Sequence, residues 1–160
     1  MFFYLLIYLF IYFCIYLFIY IFFLFFYVLF INLKNYFYFT AGLGDAIDFD
    51  ASANIIIKDN FILGGDSDGI DLGNHDTTGC YGAIVLQNFI QGMGDKGISC
   101  GEKCTVNAHH NVIVGCDIGI ASKAGSHVQS DHNTLYQNRI GLKSFDKGDG
   151  WGVGDLNVTN

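Results

Sequence analysis

The chain has 160 residues, room for one domain rather than separate catalytic and binding domains. It carries 8 Lys+Arg against 15 Asp+Glu, and the resulting net charge of −7 argues against a nucleic-acid partner, because phosphate binding needs clustered Lys and Arg. The same charge disfavours docking of the polar part on an anionic membrane surface.

The first predicted element is the apolar run MFFYLLIYLFIYFCIYLFIYIFFLFFYVLFINL. Residues 1–33 carry no charged side chain, and the run exceeds the roughly 20 apolar residues that a membrane-spanning helix needs. It lacks the basic start and the A-x-A-like cleavage site of a signal peptide. Two readings stand. One is a helical, uncleaved membrane anchor; the other is AT-rich DNA translated upstream of the coding region, whose codons supply Phe, Tyr, Ile, Leu, Asn and Lys. Of the 16 Phe, 10 Tyr and 1 Trp, 20 fall within residues 1–39, whereas all 20 Gly follow residue 41. The chain therefore divides into an apolar segment, 1–39, and a polar part, 40–160.

The polar part repeats. A small residue followed by Ile or Leu recurs at Ala46-Ile47, Gly69-Ile70, Gly97-Ile98, Gly119-Ile120 and Gly141-Leu142, with spacings of 23, 28, 22 and 22 residues. An asparagine keeps step at Asn60, Asn88, Asn111 and Asn133, each followed two positions later by Ile62, Ile90, Ile113 or Leu135. Between these markers the apolar residues alternate with period two, which excludes helical repeats and predicts short strands. The inward candidates are Ile55 and Ile57, Ala83 and Val85, Val106 and Ala108, then Val128 and Ser130. A period near 22 with glycine at corners predicts a solenoid of about five coils, each repeat making one coil.

Stacked coils lie about 4.8 Å apart, so equivalent residues form ladders. The Asn side chains can then donate amide to oxygen from coil to coil, and Asn suits the left-handed backbone of a sharp corner. The absence of proline keeps every backbone donor available for pairing.

The strings GDAIDFD, DSDGIDLG, DKGISCGEK, DIGIASKAGS and NRIGL resemble the repeats of the right-handed parallel β-helix, the pectate-lyase-like fold, in secreted or surface bacterial proteins. The resemblance covers roughly residues 44–145 and implies an all-β right-handed solenoid at an extracellular or cell-surface address. It leaves function open among lyases, hydrolases, epimerases and adhesive proteins. The abrupt first repeat and the coil-like Asn157-Val158-Thr159-Asn160 read as a fragment of a longer protein.

Alignment on the small-residue–Ile step puts Asp48, Asp71, Ser99, Ala121 and Lys143 in one outward column. Two positions later stand Asp50, Gly73, Gly101, Lys123 and Phe145, followed by Glu102. Carboxylates this close repel unless protonated or bridged by a cation, and calcium is the natural bridge for oxygen ligands. The metal candidates are thus Asp48, Asp50, Asp71 and Glu102, with Lys123 as candidate base. β-Helix polysaccharide lyases combine acidic calcium ligands with a basic residue, so the resemblance implies this chemistry in outline. The plainer reading makes all five solvated residues of a solenoid face. Asp66, Asp68, Asp71 and Asp76 form a second acidic cluster that lacks the bidentate Glu of an EF-hand.

His110 and His132 precede ladder asparagines and should stack on adjacent coils, but two imidazoles do not define a zinc site. Cys100 aligns with inward positions as a buried thiol, while Cys80 and Cys104 come close enough on neighbouring coils for a disulfide. No GxSxG, HExxH or Walker motif occurs. The expectation is a secreted or surface-anchored domain, calcium its one candidate cofactor, that binds or processes extracellular polysaccharide; the alternative is a non-enzymatic structural or adhesive spacer. Scarce aromatic platforms in the polar part point to charged rather than neutral glycans.

Overall fold

The computed structural model describes residues 16, 36–38, 44–50, 54–73 and 80–159. The chain separates into two compact units, Met1–Lys34 and Asn35–Asn160. In the first, Tyr16 is helical and exposed. The rest of the expected anchor lies outside the described residues, and among those described no helix is long and apolar enough to cross a membrane.

The second unit is all-β. In chain order its strands are β1 Tyr36–Tyr38, β2 Ile47–Asp50, β3 Ile56–Lys58, β4 Phe61–Gly65 and β5 Ile70–Gly73. There follow β6 Ala83–Leu86, β7 Phe89–Met93, β8 Lys96–Cys100, β9 Thr105–His109 and β10 Val112–Val114. The last are β11 Ile118–Lys123, β12 His127–Asp131, β13 Thr134–Tyr136, β14 Ile140–Phe145 and β15 Asp155–Thr159. Every strand pairs in parallel with the one three places on, giving three five-stranded sheets: β1-β4-β7-β10-β13, β2-β5-β8-β11-β14 and β3-β6-β9-β12-β15. This rotation through stacked parallel sheets is compatible with a β-solenoid. β1 falls inside the stretch 1–39 read from composition as apolar segment, so sheet structure begins before the polar part does.

The repeat markers name the register. Ile70 pairs with Ile98 and Ile98 with Ile120, and all three side chains are fully buried. Ala83, Val106 and Val128 form a second interior column, and Val85, Ala108 and Ser130 a third, as the alternation predicts. Burying each Val or Ile contributes roughly 1.5–3 kcal/mol, and a small residue beside a large one lets successive rungs fill one volume.

The small residue of each marker is explained by close approach. A Cβ on Gly69 would lie 2.8 Å from the Gly97 carbonyl oxygen, one on Gly97 2.8 Å from that of Gly119, and one on Gly119 2.5 Å from that of Gly141. Successive rungs meet backbone to backbone there.

The asparagine ladder forms as predicted. Nδ2 of Asn60 donates to Oδ1 of Asn88 at 2.9 Å, Asn88 to Asn111 at 3.0 Å, and Asn111 to Asn133 at 3.0 Å. One detail differs. The left-handed residue is the one before each asparagine: Asp59, Gln87, His110 and His132 have φ of 57°, 55°, 57° and 48°. The asparagine is thereby free to turn its amide inward, where Asn88 and Asn111 also donate to the carbonyls of Ile57 and Val85.

Cys80 and Cys104 are joined in a disulfide, and Cys100 is a buried free thiol, both as the column alignment suggested.

Candidate functional site

The sheet β2-β5-β8-β11-β14 carries the candidate residues in the expected columns. Asp48 pairs with Asp71, Asp71 with Ser99, Ser99 with Ala121 and Ala121 with Lys143. Asp50 pairs with Gly73, and Lys123 with Phe145. The outward column is not uniformly solvated, however: Ser99 and Ala121 are 0% exposed, so the open face expected across all rungs is closed at β8 and β11.

Lys123 is buried. Its Nζ lies 3.6 Å from Oδ1 of Asp71, and its methylenes run over Gly101, where an added Cβ would meet Cε at 3.0 Å. The glycine in that column is the space the lysine stem occupies. Gly73 does the same for Glu102, since a Cβ there would lie 2.5 Å from Oε2 of Glu102 and 3.7 Å from Oδ1 of Asp50. Glu102 stands at a corner in the left-handed region (φ 47°), which turns its carboxylate back over the preceding rung. Lys147, 45 residues away, donates to Oε1 of Glu102 at 3.2 Å.

The structure therefore splits the expected set. Asp48 and Asp71 converge with a third carboxylate, Asp45, and one oxygen from each lies within 4.8 Å of the others. Glu102 and Asp50 both lie beside Gly73, and Glu102 still acts on Asp71 through its charge. Sequence reasoning missed Asp45 because it precedes the strand, although it stands one place before the small-residue marker as Asp68 does on the next rung. The signal that places it is a corner contact: Oδ1 of Asp45 accepts the Asp68 N–H at 2.8 Å and the Ser67 hydroxyl. This holds its carboxylate beside the next rung.

Asp71 is the strained member electrostatically. Burial pushes its carboxyl above the usual value of 3.8; the Lys123 ammonium and the Ser99 hydroxyl pull it down, while Asp45 and Glu102 push it up. Oδ1 of Asp71 and Oγ of Ser99 are both buried without a hydrogen-bond partner among the described residues. The two atoms face one another: the Ser99 hydroxyl lowers the Asp71 value as a hydrogen-bonding neighbour, although its geometry is poor. Three carboxylates and a hydroxyl are hard oxygen donors of the kind calcium takes, so the donor set fits that ion in kind.

Of the second acidic cluster, Asp68 and Asp71 lie close enough to act on each other through their charges. Asp68 is buried and turns to Lys96, accepting its N–H at 2.9 Å and its Nζ at 3.2 Å, while Asp71 faces the other rung partners. Asp95 also contacts the Lys96 ammonium. Asp68 is a structural ion-pair partner; Asp76 lies outside the described residues. His110 and His132 stack as expected, with centroids 5.2 Å apart.

No family model, no curated protein and no solved structure matches the chain.

Proposed function

We propose that residues 40–160 are a right-handed parallel β-helix module of the pectate-lyase-like kind. In this reading it works outside the cytoplasm, or at the cell surface, and binds anionic extracellular polysaccharide through calcium without cleaving it. The observation that carries the reading is the convergence of Asp45, Asp48 and Asp71, one oxygen from each within 4.8 Å of the others. Parallel crossovers are right-handed in about 98% of cases, which supports the handedness. The Cys80–Cys104 disulfide suits an oxidising compartment.

A chain of net charge −7 repels a polyanion unless a cation stands between them. Calcium, when bound, supplies that charge and has coordination capacity beyond three carboxylates for oxygens of the polymer. Asp45 is held for the task by Ser67 and Asp68, and Lys123 draws the Asp71 carboxyl down against the rise that burial causes. The burial of Lys123 and its pairing with Asp71 favour binding over lyase chemistry, since a base must reach the sugar proton it removes. The same burial favours the second reading, a structural or adhesive spacer, if calcium does not bind.

Calcium titration by calorimetry, then retention of polygalacturonate and alginate with and without chelator, tests this. We expect a rise in melting temperature with calcium, chelator-sensitive retention lost in Asp71→Asn, and no absorbance from unsaturated product in wild type or Lys123→Ala. Absence of both calcium heat and a melting shift leaves the spacer; unsaturated product from wild type and not from Lys123→Ala restores the lyase.

A further inference from the structure

The outer face of the sheet β3-β6-β9-β12-β15 carries a groove chemically unlike the acidic face of the other sheet. Val106, Ala108, Val128 and Ser130 point inward and are buried, so their strand neighbours on β9 and β12 point out. A groove of about 260 Å³ opens there, lined by Ile84, Asn107, His109, Gln129 and Asp131. Register sets its shape. Ile84, Asn107 and Gln129 follow one another on successive rungs as one wall, and His109 and Asp131 form the other. The walls stand two residues apart along each strand, roughly 6.6 Å, and the rungs follow at about 4.8 Å.

The lining is planar and polar. Asn107 and Gln129 each offer amide donors and a carbonyl acceptor, a combination that grips hydroxyls, which themselves both donate and accept. Gln129 gives one N–H to Thr159 Oγ1 at 3.2 Å, which holds the amide in place and leaves its carbonyl oxygen to the groove. Asp131 is an oriented acceptor. Its Oδ1 takes hydrogen bonds from His132 Nδ1 and Thr159 Oγ1, each at 2.8 Å, and these hold the carboxyl below the usual 3.8. His109 Nδ1 lies 3.3 Å from Nδ1 of His110, which sets the ring and leaves Nε2 as the nitrogen for a ligand. Ile84 adds the apolar patch on which the C–H face of a sugar ring rests.

These features select the ligand. The one carboxylate in the lining, Asp131, repels an anion, so the polymer of the acidic face does not belong here. An extended peptide pairs with a strand edge, whereas this groove lies on a sheet face. Its volume falls below the roughly 300–1,000 Å³ of pockets for drug-sized ligands, which leaves room for one or two sugar rings. The rung spacing is close to the length of one equatorially linked pyranose in an extended chain, so successive sugars meet successive rungs.

We infer that the groove over β6, β9 and β12 is a calcium-independent subsite for a neutral, equatorially linked glycan, held by Asn107 and Gln129 on one side and by His109 and Asp131 on the other. It does not rest on the calcium reading, since its sheet, its ligand and its independence of metal all differ. No Phe, Tyr or Trp lines the groove, so hydrogen bonds carry the contact in place of ring stacking.

The test uses the full chain with cellohexaose, mannohexaose and xylohexaose, by calorimetry and saturation-transfer NMR in excess chelator. We expect at least one of the three to bind, with an affinity that added calcium does not change. Asn107→Ala, Gln129→Ala and Asp131→Asn should each weaken it about 2–10-fold, as loss of one hydrogen bond does, and the Asn107→Ala/Gln129→Ala variant more than either alone. Maltohexaose, whose axial linkage coils away from the rung spacing, should bind about 2–10-fold more weakly. Tyr136→Ala removes an exposed ring on the sheet β1-β4-β7-β10-β13 and should bind as wild type does. All four side chains lie on the outer surface, and unchanged melting curves verify that the variants fold. The groove is overturned if wild type binds none of the three in chelator, or if the double variant binds as wild type does. It is equally overturned if maltohexaose binds as well as the others, or if Tyr136→Ala abolishes binding. Calcium-dependent retention of polygalacturonate without any neutral binding would remove this groove and keep the calcium reading; the reverse result would keep the groove alone.

Discussion

The oxygen Oδ1 of Asn111 accepts two bonds from Asn88, one from its Nδ2 and one from its backbone N–H, both at 3.0 Å. Asn111 is fully buried and passes its own amide on to Val85 O at 2.8 Å and Asn133 Oδ1 at 3.0 Å. One side chain thus bonds four polar groups on the two neighbouring rungs. Asn111→Ala removes all four bonds. Asn133 Oδ1 keeps the Asn111 N–H and Asn88 Nδ2 keeps the Ile57 carbonyl. The Asn88 N–H and the Val85 carbonyl lose this partner, at about 1–3 kcal/mol for each group left unsatisfied. We expect a loss of at least about 3 kcal/mol, a fall of roughly 10 °C in melting temperature. Asn111→Asp should be worse at pH 7 than at pH 4. A buried carboxylate has a raised pKa, so its stability term is present at low pH and lost as pH rises through that value. A cost below about 1 kcal/mol for Asn111→Ala would dismiss the ladder as an energetic element.

The glycine ladder gives a contrast within one column. At Gly97 an added Cβ meets Cγ2 of Ile113 at 2.4 Å and the Gly119 carbonyl at 2.8 Å, whereas at Gly141 the nearest atom is Cδ1 of Leu135 at 3.7 Å. Gly97→Ala should cost at least about 2 kcal/mol through overpacking. Gly141→Ala should be neutral, or stabilise by up to about 1 kcal/mol by restricting the unfolded chain. Thermal melts of the two variants decide it; equal effects would refute the backbone contact as the reason for glycine.

This contrast also marks what the sequence can disclose. Gly97 and Asn111 are legible because stacking repeats a local constraint at every rung, so the constraint writes itself into the period. Asp48, Asp71 and Lys123 are legible as neighbours for the same reason: parallel register brings equal positions together. Asp45 shares its corner contact with Asp68, which accepts the Lys96 N–H as Asp45 accepts that of Asp68. That pair repeats only twice among the described residues, too few times to stand out as a period. The other partner residues are not legible. Neither is the lid that Lys147 makes on Glu102 across 45 residues, since a contact made once leaves no period. Lys123 was expected to be solvated and proves buried, because column position fixes which way a side chain leaves the sheet and says nothing of what lies over it.

The cysteines should divide cleanly in their chemistry. Reducing the Cys80–Cys104 bond, which spans 24 residues, should lower stability by about 3 kcal/mol on the chain-entropy estimate. Cys100 and Cys116 should resist maleimide in the folded protein. Burial pushes the Cys100 thiol up to about 12 and raises that of Cys116 as well, and both side chains are enclosed. Peptide mapping after brief labelling at pH 7 measures this; rapid modification of Cys100 would mean that the interior column opens under native conditions.

Protons and calcium should compete for Asp71. Its carboxyl lies above 3.8 in the folded protein, chiefly by burial, so the folded state holds the proton more tightly than the unfolded chain does. The stability gained from that proton is complete below 3.8 and is lost as pH rises through the raised folded value. At neutral pH the ionised group, beside Asp45 and Asp48, is a liability that calcium relieves. The calcium-induced rise in melting temperature should therefore be largest near pH 7 and shrink as the pH falls toward 4. Lys123→Met removes the strongest influence holding the Asp71 value down, so in that variant the decline should begin at a higher pH. Melting curves at half-unit steps, with calcium and with chelator, resolve both shifts. A calcium effect independent of pH, or one whose pH dependence survives Asp71→Asn, would place the ion away from this carboxylate.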